Sequence, residues 1–249
     1  MQPIILSVSA VDTSGGAGIN QDTRVAAVHK CLLINCITGI TIQNKTGLKE
    51  ILCTPAEFFE QMLDIMLYSY QIAAVKIGAI CSQAQIEIMY RKLKDLKGIP
   101  IILDPVIKPT QGDLFIPEAS ASDYLELMTV VDYLLPNYPE LEFLSHLPAH
   151  NLEEAVIAAK QLSKEYSTAI LLKSGHSRTK RMQEGIVTST SENLFTKKRN
   201  NWTYTHGTGC ALATAFACNL AKDMSPLEAY KRASLWLNRY YNEMQDYFR

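Results

Sequence analysis

The chain has 249 residues, 47% of them hydrophobic, with a formal net charge of -1. That length supports one sizeable core, and the balanced charge argues against a nucleic-acid surface. No apolar run is long enough to span a bilayer and Met1–Ser7 lacks a basic leader, so a cytoplasmic protein with no membrane or nucleic-acid partner is expected.

The first buried strand reads as Ile4–Ser9, followed by the loop Asp12-Thr13-Ser14-Gly15-Gly16-Ala17-Gly18 and a helix over Gln21–His29. Strand Ile34–Gln43 precedes helix Ala56–Tyr70, and strand Ala73–Ile77 precedes helix Gln83–Lys97. Strand Ile99–Leu103 ends in Asp104-Pro105; strand Tyr133–Leu135 ends in Pro136-Asn137 and leads on to helix Leu152–Tyr166. After strand Ala169–Lys173, the short runs Glu184–Thr188 and Asn193–Thr196 read as an antiparallel hairpin, and helices Cys210–Lys222 and Pro226–Tyr247 close the chain.

Alternating strands and helices of this kind predict an α/β fold: a mostly parallel central sheet with helices on both faces. Such sheets bind ligands beyond the carboxyl ends of their strands. The polar and glycine-bearing motifs gather at those ends: Asp12–Gly18, Gln43-Asn44, Gly78, Asp104-Pro105, Asn137, and Lys173-Ser174-Gly175-His176.

The most specific stretch is Thr205-His206-Gly207-Thr208-Gly209-Cys210, followed by Ala211-Leu212-Ala213-Thr214-Ala215. A glycine loop feeding a helix made of small residues presents free amides and the positive end of the helix dipole. Oxyanions can approach such amides closely, and a cysteine there is expected to have a lowered pKa. The plainer reading is a turn with a small buried cysteine.

Six cysteines at 31, 36, 53, 81, 210 and 218 show no C-x-x-C spacing, which argues for reduced thiols rather than zinc. Lys197-Lys198-Arg199 reads as a solvated turn. Gly16-Ala17-Gly18-Ile19-Asn20-Gln21 lacks the third glycine of a dinucleotide fingerprint, and neither a P-loop nor a G-x-S-x-G elbow is present.

Over nearly its full length the chain resembles the hydroxymethylpyrimidine/phosphomethylpyrimidine kinases of thiamine synthesis, within the ribokinase-like fold. Asp12-Thr13-Ser14-Gly15-Gly16-Ala17-Gly18-Ile19-Asn20-Gln21-Asp22 is similar to the family's D-P-S-G-G-A-G-I-Q-A-D, and Gln43-Asn44-Lys45-Thr46 to its Q-N-T. Lys76-Ile77-Gly78, Asp104-Pro105-Val106 and Thr205–Cys210 stand unchanged, and Asn137-Tyr138-Pro139-Glu140 fits N-x-x-E. The sequence departs from the pattern at Thr13, Ala79, Ser174 and the segment Ile107–Gly112, where Pro109 and Gln111 interrupt the match.

The resemblance implies a single ribokinase-like kinase domain over residues 1–249. It would transfer a phosphoryl group from ATP, with Mg²⁺, to a hydroxymethyl group and then to the resulting phosphate. Gly207, Thr208, Gly209 and Cys210 would form the anion hole, with Cys210 the base for the alcohol proton. Asp12, Gly16, Ala17, Gly18, Asp22, Gln43, Gly78 and Val106 would line the pyrimidine site, with Asp22 and Gln43 bonding its edge. Lys173, Asn137 and Thr205 would meet ATP, while Asn137 and Glu140 would hold Mg²⁺ through water.

Residue by residue, simpler readings stand beside these: a first-turn acid for Asp22, a turn followed by a helix N-terminal acid for Asn137 and Glu140, a strand-end lysine for Lys173, and structural loop histidines for His176 and His206. The competing functions are a pyridoxal kinase of the same fold and a catalytically silent protein that binds a thiamine precursor. The family's habits make a homodimer the expected assembly.

Overall fold

The computed structural model describes residues 2–44, 47–107, 121–173, 181–199 and 201–245. Its strands are β1 (Ile4–Asp12), β2 (Leu32–Asn44), β3 (Gly47–Cys53), β4 (Ile72–Ile77), β5 (Ile101–Leu103), β6 (Tyr133–Leu134), β7 (Ala169–Leu172), β8 (Arg181–Val187) and β9 (Glu192–Lys198). Its helices are α1 (Gly18–Val28), α2 (Ala56–Ser69), α3 (Gln83–Leu93), α4 (Ala121–Met128), α5 (Tyr138–Ser145), α6 (Leu152–Tyr166), α7 (Thr208–Leu220) and α8 (Pro226–Met244).

All described strands join one sheet in the order β3-β2-β1-β4-β5-β6-β7-β8-β9. The strands from β2 through β1, β4, β5 and β6 to β7 pair in parallel, while β3 at one edge and β8 and β9 at the other pair antiparallel. Ile101, Ile102 and Leu103 of β5 are all buried, as a parallel strand covered on both faces requires.

One covering layer is α1, α7 and α8, which contribute Val25, Ala211, Phe216 and Tyr230. The other is α2 through α6, with Phe59, Ile86, Tyr124, Leu141 and Ala155. Every residue of α7 from Cys210 to Asn219 is buried, and its many alanines let neighbours approach on all sides. Because β2 and β4 flank β1 on opposite sides, the strand order reverses there, and a crevice opens beyond the carboxyl ends of β1 and β4.

The expected α/β architecture and late hairpin are present; β3, α4 and α5 were not expected. Gly47-Leu48-Lys49-Glu50-Ile51-Leu52-Cys53 mixes charge with apolar residues and is largely solvent-facing, so it carries no buried-strand pattern. It forms because β2 runs on to Asn44 and offers an open antiparallel edge, from Gly39 opposite Cys53 to Asn44 opposite Gly47. The helices α4 and α5 have 8 residues each, too few for a clear 3.6-residue period. Pro100 lacks an N–H and stays outside β5, although its carbonyl accepts Val75 N at 2.9 Å.

Two boundary shifts bear on function. The first helix begins at Gly18 rather than Gln21, and α7 begins at Thr208 rather than Cys210. Gly16, Gly18, Gly207 and Gly209 therefore lie within or just before first helical turns. Lys45, Thr46, Lys108–Gln111, Ser174 and His176 fall outside the described residues.

Candidate active site

The loop after β1 is organised by Asp12. Its Oδ1 accepts Ser14 N at 2.8 Å and Ser14 Oγ at 2.7 Å. Its Oδ2 accepts Gly16 N at 3.1 Å and Ala17 N at 2.7 Å, and lies 2.7 Å from His206 Nε2. Burial pushes this carboxyl up, but hydrogen bonds from His206, Gln43 and Ser14 overcome it and hold Asp12 far below the usual carboxylate range. Asp12, expected at the pyrimidine site, directs its oxygens to the loop's own amides and to His206. His206 is the structural histidine of the simpler reading, and it ties this loop to the one before α7.

Those two loops meet without room for side chains. A Cβ on Gly16 would overlap the His206 ring and the Tyr204 hydroxyl, and one on Gly207 would overlap the Gly16 carbonyl. Gly207 is the N-cap of α7 in left-handed conformation, φ 76°. Its loop is anchored by the Tyr241 hydroxyl, which donates to His206 O at 2.8 Å. The exposed Thr205 contributes its carbonyl, which accepts Thr208 N at 3.3 Å. As in any α-helix, the first-turn amides of α7 have no intrahelical acceptors.

Cys210 lies in that first turn and is buried. Gly18, held at φ 56° by an antiparallel bridge to Val11, donates its backbone N–H to the sulfur. The expectation of a lowered thiol pKa fails in this state. Burial pushes Cys210 up to about 11; Lys76 and the Gly18 amide pull it down, while the carboxylates of Asp22 and Asp104 push it further up.

Across the crevice, Asp104 at the end of β5 pairs with Lys173 at the end of β7, Oδ1 to Nζ 3.1 Å. Its Oδ2 lies 3.1 Å from where a Cβ on Gly209 would stand, so glycine is what lets α7 approach this carboxylate. Lys173 is held protonated, because the Asp104 and Glu140 carboxylates outweigh its burial. Asn137 and Glu140 form a reciprocal capping box at α5: Asn137 N donates to Glu140 Oε2 at 2.8 Å, and Glu140 N to Asn137 Oδ1 at 2.8 Å. Burial raises Glu140 to about 7, against the pull of Lys173 and with a further push from Asp104.

Asp22, also expected at the pyrimidine site, lies deeper in the core. It is 0% exposed, with Oδ2 bonded to Lys76 Nζ at 2.8 Å and Ser7 Oγ at 2.7 Å, and Oδ1 to Thr214 Oγ1 at 2.7 Å. Both of its carboxylate oxygens thus have partners inside the core. Gln43 is half-buried and bonds Asp12, so it sits at the rim beside the first loop. Gly78 packs over Ser9 Oγ and Lys76 Nζ, which a Cβ would meet at 2.6 and 2.7 Å. Val106 joins Ala10, Ala79, Cys81 and Ile51 in a small apolar wall next to that rim.

A family model for phosphomethylpyrimidine kinase matches residues 12–246. The chain belongs to the phosphomethylpyrimidine kinase family. A thiamine biosynthesis multifunctional protein of Corynebacterium efficiens is 30% identical over 239 residues, covering 95% of this chain and 32% of that protein. The chain thus spans about a third of the length of that relative. A hydroxymethylpyrimidine/phosphomethylpyrimidine kinase of Salmonella typhimurium is 28% identical, covering 94% of this chain and 88% of the relative. The structure of Staphylococcus aureus pyridoxal kinase in complex with ADP superposes with a TM-score of 0.86 at 21% identity, covering 96% of this chain and 87% of that one. The fold is ribokinase-like.

In this phosphomethylpyrimidine kinase family member, sequence reading missed two central residues. Asp104 was noted as a strand end but given no role, and Lys76 was noted only as part of a motif. A signal for Lys76 existed, since a charged residue inside the apolar strand Ile72-Ala73-Ala74-Val75-Lys76-Ile77 must be paired. Among the described residues no group of three His, Cys, Asp or Glu could cage a metal, and no helix is long and apolar enough to cross a membrane. The side-chain oxygens of Asn137 and Glu140 are the donor type that a hard divalent cation takes, mostly through its water shell.

Glu140 carries a stability prediction. Its folded pKa of about 7 lies above the ordinary 4.5, so the folded chain keeps a proton that the unfolded chain releases. Stability is therefore full below the unfolded value and falls as pH rises through the folded one, by up to about 3 kcal/mol. Glu140→Gln should flatten that slope while keeping the capping box, as read from urea midpoints at about pH 5 and about pH 7.5. A slope unchanged by the substitution would assign it to another group.

Proposed function

We propose that this chain phosphorylates 4-amino-5-hydroxymethyl-2-methylpyrimidine and then its monophosphate, using ATP and Mg²⁺. The observation that carries this reading is the tip of α7: free first-turn amides with Cys210 beside them, opposite the Lys173–Asp104 pair, at the crevice where the strand order reverses.

Phosphoryl transfer passes through a loose transition state, so positioning and charge stabilisation dominate catalysis. Amides of Gly209 and Cys210 would receive the equatorial oxygens of the moving phosphoryl group, aided by the dipole of α7. Lys173 would stand against the nucleotide phosphates. Cys210 Sγ would take the hydroxymethyl proton as the new O–P bond forms. A phosphate acceptor is already anionic and needs no such base. Asn137 and Glu140 would hold Mg²⁺ through water, and the ion when bound neutralises phosphate charge. Gln43 and the Val106–Ala79 wall would border the ring, and Asp12 would act at one remove by fixing the Gly16–Ala17 loop.

The likeness to a pyridoxal kinase makes vitamin B6 alcohols the second reading. Incubating the protein with ATP, Mg²⁺ and equimolar pyrimidine alcohol and pyridoxal tests both, with products weighed by mass spectrometry. Pyrimidine mono- and diphosphate should dominate. A predominance of pyridoxal phosphate would reverse the assignment, and no phosphorylated product at all would favour a silent binding protein.

A further inference from the structure

We propose that Lys76 is a positioning residue for the transfer: its buried ammonium, fixed by Asp22, stands beside Cys210 and stabilises the thiolate that takes the hydroxymethyl proton. This rests on the kinase reading for the use of the thiolate, but not for its existence.

A lysine buried to 0% exposure near the carboxyl end of a parallel strand is costly, and a core that needed only filling would carry an apolar side chain there. The placement of Lys76 is specific. Asp22 on α1 grips the ammonium at 2.8 Å, and the other oxygen of that carboxylate is bonded by Thr214 at 2.7 Å. Thr214 lies one turn beyond Cys210, so both side chains project from the same face of α7 toward this pair. From the strand side, Gly78 leaves the ammonium directly beneath the backbone at the carboxyl rim of β4, where any Cβ would strike it. Asp22 is the acceptor Lys76 Nζ has among the described residues, although an ammonium carries three donors.

The ionisable groups around Cys210 come from every neighbouring element: Lys76 from β4, Asp22 from α1, Asp104 beyond β5, Lys173 beyond β7 and Tyr241 from α8. The four charges form two pairs, Lys76–Asp22 and Lys173–Asp104, and the surroundings are close to neutral. Small changes in either pair therefore decide how readily the sulfur ionises. During transfer the substrate O–H bond breaks and its proton passes to Sγ. The freed oxygen pair forms the bond to the γ-phosphorus, and the bridging O–P bond breaks with its electrons leaving on ADP. Lys76 keeps its own proton throughout.

The test is the rate of Cys210 alkylation by iodoacetamide as a function of pH, in nucleotide-free protein. Peptide mass spectrometry separates Cys210 from the exposed Cys53. Lys76→Met should slow Cys210 alkylation near pH 8.5 at least about tenfold and move its pH midpoint upward, whereas Asp22→Asn should speed it severalfold and move the midpoint downward. A merely structural pair would loosen the core in both variants and shift reactivity in one direction. Shifts of the same sign, or none, would overturn the proposal. Should the single variants fail to fold, Lys76→Met/Asp22→Asn keeps the core neutral: slower alkylation than the parent supports the proposal, and equal or faster alkylation overturns it. In parallel, Lys76→Met should lower kcat on the alcohol far more than on the monophosphate. A parent protein that turns over neither substrate would instead indict the kinase reading, leaving the alkylation result to stand alone.

Discussion

Cys210→Ala is expected to lower kcat on the hydroxymethyl substrate by at least about 100-fold while lowering it on the monophosphate by less than about tenfold. The side chain removed is small and buried, so the fold should survive with a minor change in melting temperature. What disappears is the proposed proton acceptor next to the amides of α7. The pH dependence follows from the thiol's position at about 11. A base must be deprotonated to act, so below that value each unit of acid should cost about tenfold in turnover of the alcohol. The phosphate acceptor should show no such rise with pH. Steady-state rates on both acceptors between about pH 6.5 and about pH 9.5 give the comparison. Equal losses on both substrates, or a flat profile on the alcohol, would remove Cys210 from the role of base.

A buried cysteine was one of the two sequence readings, but the charges that surround the thiol were not visible there. The stretch Gly207–Cys210 announces a helix N-terminus with a cysteine, and that much is realised. Whether the thiol ionises depends on Lys76, Asp22 and Asp104, which reach it from three other elements distant in the chain. Asp12 teaches the same lesson. Its place at the end of a strand was legible, but its oxygens are claimed by Ser14, Gly16, Ala17 and His206, and the last of these lies on the loop before α7. The parallel sheet was legible because strands such as β5 are apolar throughout. The edge strand β3 was not, since its residues answer to a partner strand and to solvent rather than to a core. Asn137 and Glu140 form a reciprocal helix cap, and burial there raises the Glu140 carboxyl, which the sequence around Asn137 did not reveal.

Gly207→Ala should be more damaging than Cys210→Ala, because it strikes both acceptors alike. The residue sits at φ 76°, where a β-carbon costs about 1–2 kcal/mol. That strain alone is survivable, and Gly98 supplies the control: it has φ 77° and nothing within 4 Å of its would-be Cβ. Gly98→Ala should therefore lose about 1–2 kcal/mol of stability with turnover unchanged. Gly207 differs in what its Cβ would strike, namely the carbonyl of Gly16, with Ala17 Cα only 3.3 Å away. Backbone cannot swing aside as a side chain can, so the loop after β1 and the tip of α7 must separate. Donors aimed at a developing charge lose about 100- to 1,000-fold in kcat when displaced. The loss should appear with the alcohol and with the monophosphate, since both reactions build charge on the same phosphoryl oxygens. Near-parental turnover of both acceptors by folded Gly207→Ala would show that the charge is stabilised somewhere other than the tip of α7.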